Sequence, residues 1–478
     1  MAISFDFQFS LDIIGEDMEK QSKINSGRWP VLLITSLCSF LTPFMASSIN
    51  IALPSIGREF KMNAILLGWV ATSYLLAAAM FLVPFGRLAD IQGRKKILLF
   101  GISLYAVSSF LITISSSGLA LIIFRLLQGL GGAMIFSTSV AILVSVFPAS
   151  GRGAVLGINT ASVYSGLSLG PFLGGFLTQN LGWRSLFYLN VPICLVIIFL
   201  ALWKLKGEWA DARGEKFDFA GSIIYSFALV SLMYGFSLLP KKNGAALVTL
   251  GILSIIFFVV WEMKIELPVL NMSLFRKNSV FAFSNLAALI NYCATSAVTF
   301  LLSLYLQYIK GLSPQNAGLI LVFQPIVMAI FSPLFGRLSD KIEPRLVAST
   351  GMGLTVVGLA LLTLLGQGSA LTFVIVLLII LGLGFAFFSS PNTNAVMSSV
   401  EKKYYGVSSS TLATMRLTGQ MLSMGIVMMI LNIYIGRVQI TPEYYPLFLK
   451  SMKVSCSVFA ALCFGGVFAS LARGKLRP

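Results

Sequence analysis

The sequence predicts an all-α polytopic membrane protein with fourteen transmembrane helices, arranged as two six-helix bundles with two helices inserted between them. Three observations support this fold class: the composition, a series of long apolar runs and an internal repeat. Of the 478 residues, 57% are hydrophobic and 11% are charged, whereas a soluble domain carries roughly 25% charged residues. Lipid, unlike water, accepts so many apolar side chains on the outside of a folded chain.

The apolar runs are each long enough to span a membrane, since an α-helix needs about 20 apolar residues to cross a hydrocarbon core of about 30 Å. One such run could be a buried core helix, but a dozen or more spread along one chain cannot. The runs lie at 30–53, 64–86, 97–115, 119–147, 154–177, 186–205, 218–238, 245–264, 280–306, 314–336, 347–366, 370–398, 407–433 and 448–472.

The orientation follows from the lysines and arginines. They concentrate in the two tails and in alternate connections, above all at Arg87, Arg94, Lys95 and Lys96 between the second and third runs. The positive-inside rule places these segments in the cytoplasm. The sequence therefore predicts a multi-pass protein of the plasma membrane with both termini cytoplasmic.

Several functional classes are excluded by residue type. The chain has no histidine and five cysteines, and all five cysteines lie inside apolar runs, where they are expected to be small buried side chains. The net charge of +17 is scattered between the runs, which argues against nucleic-acid binding. No Walker A loop or HExxH motif is present. We predict no enzyme, no metal and no cofactor, but a monomer with a small-molecule substrate, the lipid bilayer and, as an open alternative, protons as its partners.

An internal repeat sets the domain organisation. Pro-Phe-Gly-Arg-Leu-Ala-Asp at 84–90 recurs as Pro-Leu-Phe-Gly-Arg-Leu-Ser-Asp at 333–340. Each copy follows an apolar run that we expect to end at the glycine, Gly86 or Gly336, because glycine adopts conformations closed to residues with a Cβ. A duplicated six-helix unit with two helices between the copies explains this spacing. The predicted segments are a tail (1–28), an N-terminal bundle (29–205), two linker helices with flanking loops (206–279), a C-terminal bundle (280–472) and a tail (473–478).

Five motifs occur in order along the first half of the chain. They are Gly-Arg-Leu-Ala-Asp-Ile-Gln-Gly-Arg-Lys-Lys at 86–96, Arg-Leu-Leu-Gln-Gly at 125–129, Gly-Leu-Ser-Leu-Gly-Pro-Phe-Leu-Gly-Gly at 166–175, Gly-Trp-Arg at 182–184 and Phe-Asp-Phe-Ala-Gly at 217–221. They resemble motifs of the major facilitator superfamily and, within it, of the fourteen-helix drug:proton antiporter (multidrug efflux) family. The resemblance covers essentially all of the chain after the N-terminal tail. It implies the major facilitator fold and the export of drug-like compounds by alternating access.

The resemblance also implies a conformational switch at the cytoplasmic ends of the second and tenth spans. Asp90 and Arg94 are spaced to pair with each other or with a neighbouring helix end. Two such elements, one in each half, could hold the cytoplasmic side shut and release together. The second copy departs from the motif after Asp340. The switch residues are Gly86, Arg87, Asp90, Gly93, Arg94, Gly336, Arg337 and Asp340.

The fourth span carries Arg125 with Gln128, Gly129 and Gly132 on one helix face. An arginine inside a membrane costs a few kcal/mol or more unless it is paired or faces a watery cavity. Arg125 therefore either reaches the membrane surface with its side chain or has a functional role, and the resemblance to the helix 4 motif favours a role.

The fifth span carries a stripe without side chains, formed by Gly166, Gly170 and Gly174, followed by Gly175. Such a stripe allows another helix to approach closely, and Pro171 should kink the helix. The segment resembles the helix 5 motif of exporters, and we expect it to pack where the two halves meet.

Protons have no obvious carrier near the membrane centre. Where many members of the family carry an aspartate, the first span has Met45, and none of the seventeen acids lies at the middle of an apolar run. If coupling exists, Asp90 or Glu262 near the cytoplasmic edge is the place to look. Candidates for the lining of the central cavity are Met45, Asn50, Tyr74, Tyr164, Asn291, Gln324, Asn394 and Arg416.

Two functions compete. The first is a secondary active exporter of amphipathic or drug-like molecules, with proton coupling left open. The second is an organic-anion exporter or exchanger, because Arg125 and Arg416 would make a cavity without acids electropositive. A receptor or scaffold built on the same fold is a third alternative, which a measured flux would exclude.

Overall fold

The computed structural model describes residues 3–147, 152–270, 272–401 and 405–474. These parts of the chain are built from helices joined by short connections. The helices are α1 (Ile3–Glu59), α2 (Ala64–Gln92), α3 (Arg94–Thr113), α4 (Gly118–Val146), α5 (Arg152–Asn180), α6 (Arg184–Lys204), α7 (Phe219–Leu238), α8 (Lys242–Glu262), α9 (Met272–Lys277), α10 (Ser279–Leu304), α11 (Pro314–Leu321), α12 (Phe323–Lys341), α13 (Pro344–Leu362), α14 (Leu371–Ser398), α15 (Tyr405–Tyr434) and α16 (Tyr445–Ala472).

The prediction of an all-α polytopic membrane protein is confirmed. Within the described residues, thirteen helical segments are long and apolar enough to cross a membrane. In these segments α1 contributes Arg28–Glu59, and α11 and α12 form one crossing, Pro314–Lys341. Of the two helices outside these segments, α9 has 6 residues, whereas α5 has 29 residues and is therefore about 43 Å long. It packs along α1 and makes the fourteenth crossing.

Local residue chemistry sets several helix ends. The side chain of Asn63 accepts a hydrogen bond from the Leu66 N–H at 2.9 Å and so caps α2. Ser117 caps α4 in the same way through the Ala120 N–H at 3.2 Å. Gly93, with φ at 118°, separates α2 from α3 in a conformation that residues with a Cβ rarely adopt.

The predicted role of Gly86 and Gly336 as helix ends is wrong. The helices α2 and α12 continue to Gln92 and Lys341, because the last turns extend beyond the apolar run as polar helix. The glycine that ends α2 is Gly93, the later one of the same motif. Both copies of the repeated element are therefore helical, and their charged side chains project from helix faces.

The packing reproduces the predicted repeat. In the N-terminal half, α1–α6 pack together, and in the C-terminal half α10–α16 do so, with α7 and α8 as a pair beside α2 and α15. A Cβ on Gly166 would lie 2.5 Å from the Phe40 carbonyl oxygen, and one on Gly419 would lie 2.6 Å from that of Leu289. The contact of α5 with α1 is thus repeated by α15 with α10, as a duplicated six-helix unit requires.

Arg473, which the sequence assigned to the C-terminal tail, belongs to the C-terminal half. It is 1% exposed. Its guanidinium donates to Asn392 Oδ1 at 3.1 Å and to Ser284 Oγ at 3.3 Å. Burial lowers the pKa of Arg473 to about 10, and the nearby Glu343 carboxylate opposes that shift. The residue joins α16 to α10 and α14.

The two halves meet at one end of the bundle. We call the end that carries the turn between α2 and α3 the basic end, and the opposite end the far end. The Ala64 N–H donates to the Val438 carbonyl at 3.1 Å, and Gln307 Nε2 donates to the Ile51 carbonyl at 3.0 Å. Hydrogen bonds between described residues of the two halves all lie towards the far end. At the basic end a Cβ on Gly157 of α5 would meet nothing within 4 Å. Among the described residues, the two halves are therefore joined by hydrogen bonds towards the far end.

Candidate functional site

Side chains of both halves meet midway along the helices in what we call the central cluster. Tyr164 and Leu167 of α5 pack against Tyr292 (α10), Met328 (α12) and Phe385 (α14). The rings of Tyr292 and Phe385 are edge to face, with centroids 5.3 Å apart. Each of these residues lies near the midpoint of its membrane crossing. The cluster thus forms an aromatic surface at mid-membrane, where the two halves face each other.

Arg416 of α15 adds a positive charge to the central cluster. Its guanidinium carbon lies 5.5 Å from the Tyr292 ring centroid, and Nη2 donates to Thr393 Oγ1 at 3.0 Å. Its Nε is buried and has no partner in the described part of the chain, where no carboxylate forms an ion pair with Arg416 either. The side chain therefore has donors left for an acceptor group on a bound molecule.

Among the predicted cavity residues, Tyr164 and Arg416 lie at the central cluster. Gln324 is half-buried one helical turn from Met328, on the same side of α12. Asn291 is fully buried beside Tyr292, and neither of its amide atoms has a partner within the described residues. Tyr164 and Arg416 are therefore the predicted cavity residues that contact the central cluster.

The other predicted cavity residues lie elsewhere. Met45 is fully buried in the N-terminal half. The Asn50 carbonyl accepts a hydrogen bond from Ser303 Oγ at 2.6 Å, in the closed region towards the far end. Asn394 donates to Asp340 Oδ1 at 3.1 Å near the basic end. Tyr74 is buried beneath Arg125. These four side chains do not line the central cluster.

Arg125 does not reach the membrane surface, because it is 1% exposed inside the N-terminal half. Its Nη1 donates to Gln128 Oε1 at 2.6 Å, and Nε donates to the Val70 carbonyl at 3.2 Å. The guanidinium lies 4.7 Å from the Tyr74 ring centroid. A Cβ on Gly129 would come within 2.4 Å of the Tyr74 carbonyl oxygen. The predicted face of α4 therefore packs against α2 and keeps Arg125 away from the central cluster.

The glycine stripe of α5 packs mainly within its own half, so its predicted place between the halves is only partly right. Gly166, Gly170 and Gly174 lie against α1, whereas a Cβ on Gly175 would lie 2.5 Å from the Pro314 carbonyl oxygen in α11. A Cβ on Gly318 of α11 would in turn lie 2.1 Å from the Pro171 carbonyl oxygen. The end of the motif, at Pro171 and Gly175, makes the contact between halves.

Gly166→Ala should destabilise the protein, because its methyl group would collide with the Phe40 carbonyl oxygen, which cannot move without the α1 backbone. Overpacking of this kind costs about 1–3 kcal/mol. Gly157→Ala in the same helix meets open space and should be neutral or stabilising, since alanine is the better helix former. Thermal unfolding of the two purified variants measures the difference. Equal midpoints would contradict the close packing of α5 on α1.

The first copy of the switch motif is covered by residues 205–218, which we call the acidic connector. Arg87 forms an ion pair with Glu215. Arg94 pairs with Asp90 at 2.6 Å and with Asp211 at 2.8 Å. The predicted pairing of Asp90 with Arg94 is confirmed. The connector contributes two further carboxylates, Asp211 to Arg94 and Glu215 to Arg87.

Backbone groups strengthen the same contact. The Arg94 N–H donates to the Trp209 carbonyl at 2.9 Å, and the Ala212 N–H donates to the Asp90 carbonyl at 2.9 Å. The Lys95 N–H donates to Glu208 Oε1 at 2.7 Å. The connector is therefore bound to the α2–α3 turn along its length and is more than a tether between the halves.

The second copy of the motif differs from the first. Arg337 and Asp340 are exposed, and the described contact of Asp340 is with Asn394 of α14. Gly336 lies in the helix, with Ser390 Cβ 3.5 Å from the position of a Cβ. The acidic connector touches the N-terminal copy, so the two elements are not equivalent.

Three sets of residues that make these contacts were not predicted from the sequence. Met328 and Phe385 carry no signal that separates them from ordinary core residues. The acids of the connector did carry one, because Glu208, Asp211 and Glu215 follow each other at intervals of three and four residues at the same membrane face as Arg87 and Arg94. Arg473 was missed because it follows the last apolar run directly.

Two six-helix halves that are joined towards one end and meet at a central cluster at mid-membrane have the architecture of a membrane transporter. The family model described as Major Facilitator Superfamily matches residues 35–424, and the chain belongs to this superfamily.

Named relatives agree with this class. The chain is 32% identical over 392 residues to the riboflavin transporter RibZ of Clostridioides difficile (strain 630), covering 81% of this chain and 85% of that one. It is 31% identical over 394 residues to the multidrug resistance protein Stp of Mycobacterium tuberculosis (strain ATCC 25618 / H37Rv), covering 81% of this chain and 73% of that one.

A solved structure shares the fold. It is that of a bacterial homologue of the human lysosomal transporter Spinster in an inward-facing and unoccupied conformation, with a TM-score of 0.66 and 15% identity, covering 94% of this chain and 97% of that one. The chain is thus a multi-pass membrane transporter of small molecules.

Proposed function

We propose that the protein is a plasma-membrane exporter of amphipathic, drug-like small molecules that works by alternating access. The observation that supports this most directly is the central cluster, since the halves are joined towards the far end and we infer that a substrate reaches the cluster from the basic end. The positive-inside rule assigns the basic end, with both termini, to the cytoplasm. The described state is then the one in which an exporter loads its substrate. The name of the Mycobacterium tuberculosis relative, a multidrug resistance protein, also favours export.

The central cluster favours planar aromatic substrates with a polar edge. The Tyr292 and Phe385 rings offer edge and face contacts, which add about 0.5–1.5 kcal/mol per aromatic pair beyond area burial. Arg416 offers donors to carbonyl or acidic groups at the rim. Riboflavin, which gives its name to the Clostridioides difficile relative, has a planar ring system with carbonyl groups and is fluorescent, and is therefore a suitable first test compound.

Flux in reconstituted vesicles tests the proposal. Inverted vesicles containing the purified protein should accumulate riboflavin or a fluorescent amphipathic dye faster than protein-free vesicles, with saturation at high concentration. Right-side-out vesicles separate export from import. If the protein binds these compounds but carries none of them in either direction, the chain is a receptor or scaffold and the proposal fails.

A second candidate is an organic-anion exporter or exchanger. The observation in its favour is Arg416, which faces the central cluster without a carboxylate partner in the described part of the chain. Arg125, the second arginine expected in the cavity, lies buried inside the N-terminal half and adds no charge to the cluster. Competition between anionic and cationic dyes of similar size distinguishes the two candidates. A clear preference for cations would reject the anion exporter.

We propose that the first switch element, with Arg87, Asp90, Gly93 and Arg94, changes partners during transport. In the described state its charges are bound by the acidic connector. Movement of the N-terminal half towards the C-terminal half at the basic end would bring the α2–α3 turn towards α15, the helix of that half against which α2 packs. Neutralising Glu215 with Glu215→Gln should alter transport rates without altering substrate affinity, because Glu215 is distant from the central cluster.

A further inference from the structure

The inserted pair α7–α8 touches both six-helix halves. On one side, the ring of Trp69 in α2 lies 6.4 Å, centroid to centroid, from that of Tyr234 in α7. On the other side, Asn432 Nδ2 of α15 donates to the Leu239 carbonyl at 2.5 Å. The chain itself joins the pair to both halves, through the acidic connector before α7 and through residues 263–278 after α8. The pair is therefore placed to transmit movement between the halves.

Two carboxyl groups meet where the pair joins these connections. Asp218 caps α7 by accepting the Gly221 N–H at 2.9 Å, and it also accepts Trp261 Nε1 at 3.1 Å. Glu262, the last residue of α8, is 2% exposed and accepts the Leu270 N–H at 2.8 Å through Oε2. Asp218 Oδ2 and Glu262 Oε1 lie 2.3 and 2.5 Å from the position that a Cβ on Gly221 would occupy. The two oxygens therefore point into the same small space.

The contact is unfavourable while both groups are ionised. Like charges at short range repel, and burial adds a desolvation cost. Asp218 is the charged group of the described chain that faces Glu262, and the donors to Glu262 are the N–H groups of Val269 and Leu270. No described lysine or arginine forms an ion pair with either carboxyl. Glu262 Oε1 is buried without a donor, since its neighbour is another acceptor.

A single proton removes both the repulsion between the two carboxyl groups and the lack of a donor to Glu262 Oε1. Placed between the two carboxyls, it turns the repulsion into a hydrogen bond and gives Glu262 Oε1 its missing partner. We propose that Asp218 and Glu262 form a proton-binding site, which holds one proton between Oδ2 and Oε1 in the described state and releases it to water at the basic end.

Release of the proton would act on both halves. The negative charges left behind would push the start of α7 away from the end of α8. Asp218 is the last residue of the acidic connector, which holds Arg87 through Glu215. Glu262 holds Leu270 on the path into α10. The site is thus positioned to link proton binding to the switch element, and this link to transport rests on the proposed function, whereas proton binding itself does not.

Infrared difference spectroscopy of the purified protein in lipid nanodiscs tests proton binding without transport. As the pH is raised through neutrality, the wild type should lose the C=O absorption of a protonated carboxyl. Glu262→Gln, whose amide can donate to Asp218 as the proton-bearing carboxyl does, should lack this titration. Asp218→Asn keeps a good helix cap and should shift the titration to another pH. Glu266→Gln, at an exposed acid, should leave the wild-type titration unchanged.

Transport gives a second, separate readout. The flux of the wild type should depend on pH across the same range, and Glu262→Gln should lose that dependence. A carboxyl titration that is absent from the wild type, or that persists in both Glu262→Gln and Asp218→Asn, overturns the proton site. Unchanged pH dependence of flux in Glu262→Gln overturns its link to transport. If the wild type carries no compound, the proposed function fails while the infrared result still decides the site.

Discussion

Joining α2 to α15 with a disulfide between Gly68→Cys and Met428→Cys should stop transport almost completely, and reduction should restore it. The geometry suits the bond, because a Cβ on Gly68 would lie 2.7 Å from Met428 Cγ, the position that the sulfur takes in Met428→Cys. The other atoms near that Cβ also belong to the Met428 side chain, so replacing Met428 by cysteine removes the atoms that would collide with the new side chain at position 68. Alternating access requires the far end to open, and the bond would prevent it. Flux before and after reduction is the measurement.

A second cysteine pair serves as the control. Ser349 and Ser470 lie in α13 and α16 of the same half, with their Oγ atoms 2.8 Å apart. Replaced by cysteines and oxidised, they should leave transport intact, because two helices of one half move together. Both variants start from a chain in which the five buried cysteines are replaced. Full transport by the oxidised α2–α15 variant would show that the far end does not need to open.

Arg416→Gln should weaken the binding of anionic or carbonyl-rich compounds by roughly tenfold or more, which corresponds to the loss of a charge-assisted hydrogen bond of about 1.5–3 kcal/mol. Fluorescence titration with an anionic dye and a neutral analogue measures the effect. The neutral analogue should be affected less, since the aromatic part of the central cluster remains.

Arg276→Gln provides the matched control for charge. Arg276 is an exposed arginine of α9, outside the central cluster, so its removal should leave both affinities unchanged. Equal losses for the two dyes in Arg416→Gln would mean that the side chain supports packing around Tyr292 rather than binding a polar group. The organic-anion candidate would then lose its support.

The fold was largely predictable because lipid imposes a simple length rule. A chain that must satisfy its backbone hydrogen bonds within each crossing shows its helices as apolar runs, and the repeat of Gly86–Asp90 at Gly336–Asp340 reveals the duplication. The helix ends were less predictable. Nothing in an apolar run shows that α2 continues as polar helix to Gln92, or that Pro325, which has no N–H to donate, accompanies the break between α11 and α12.

The candidate site was predictable only in part, since hydropathy does not tell which way a polar side chain points. Arg125 and Arg416 look alike in sequence, each several residues inside a run with glycine and glutamine nearby. Only the packing of α4 on α2 shows that Arg125 is enclosed, while Arg416 lies at the central cluster against Tyr292. Tyr164 could be named as a candidate, but its meeting with Tyr292 and Phe385 depends on three helices far apart in the chain.

The acidic connector also has a consequence for shortening the chain. A twelve-helix version made by excising residues 206–278 would remove Glu208, Asp211 and Glu215 together with the two inserted helices. Arg87 would then lose its ion pair with Glu215, the Lys95 N–H would lose Glu208 Oε1, and Arg94 would keep Asp90 as its carboxylate partner. The insertion has become part of the charge balance of the half that precedes it, so the protein cannot be reduced to its duplicated core by simple deletion.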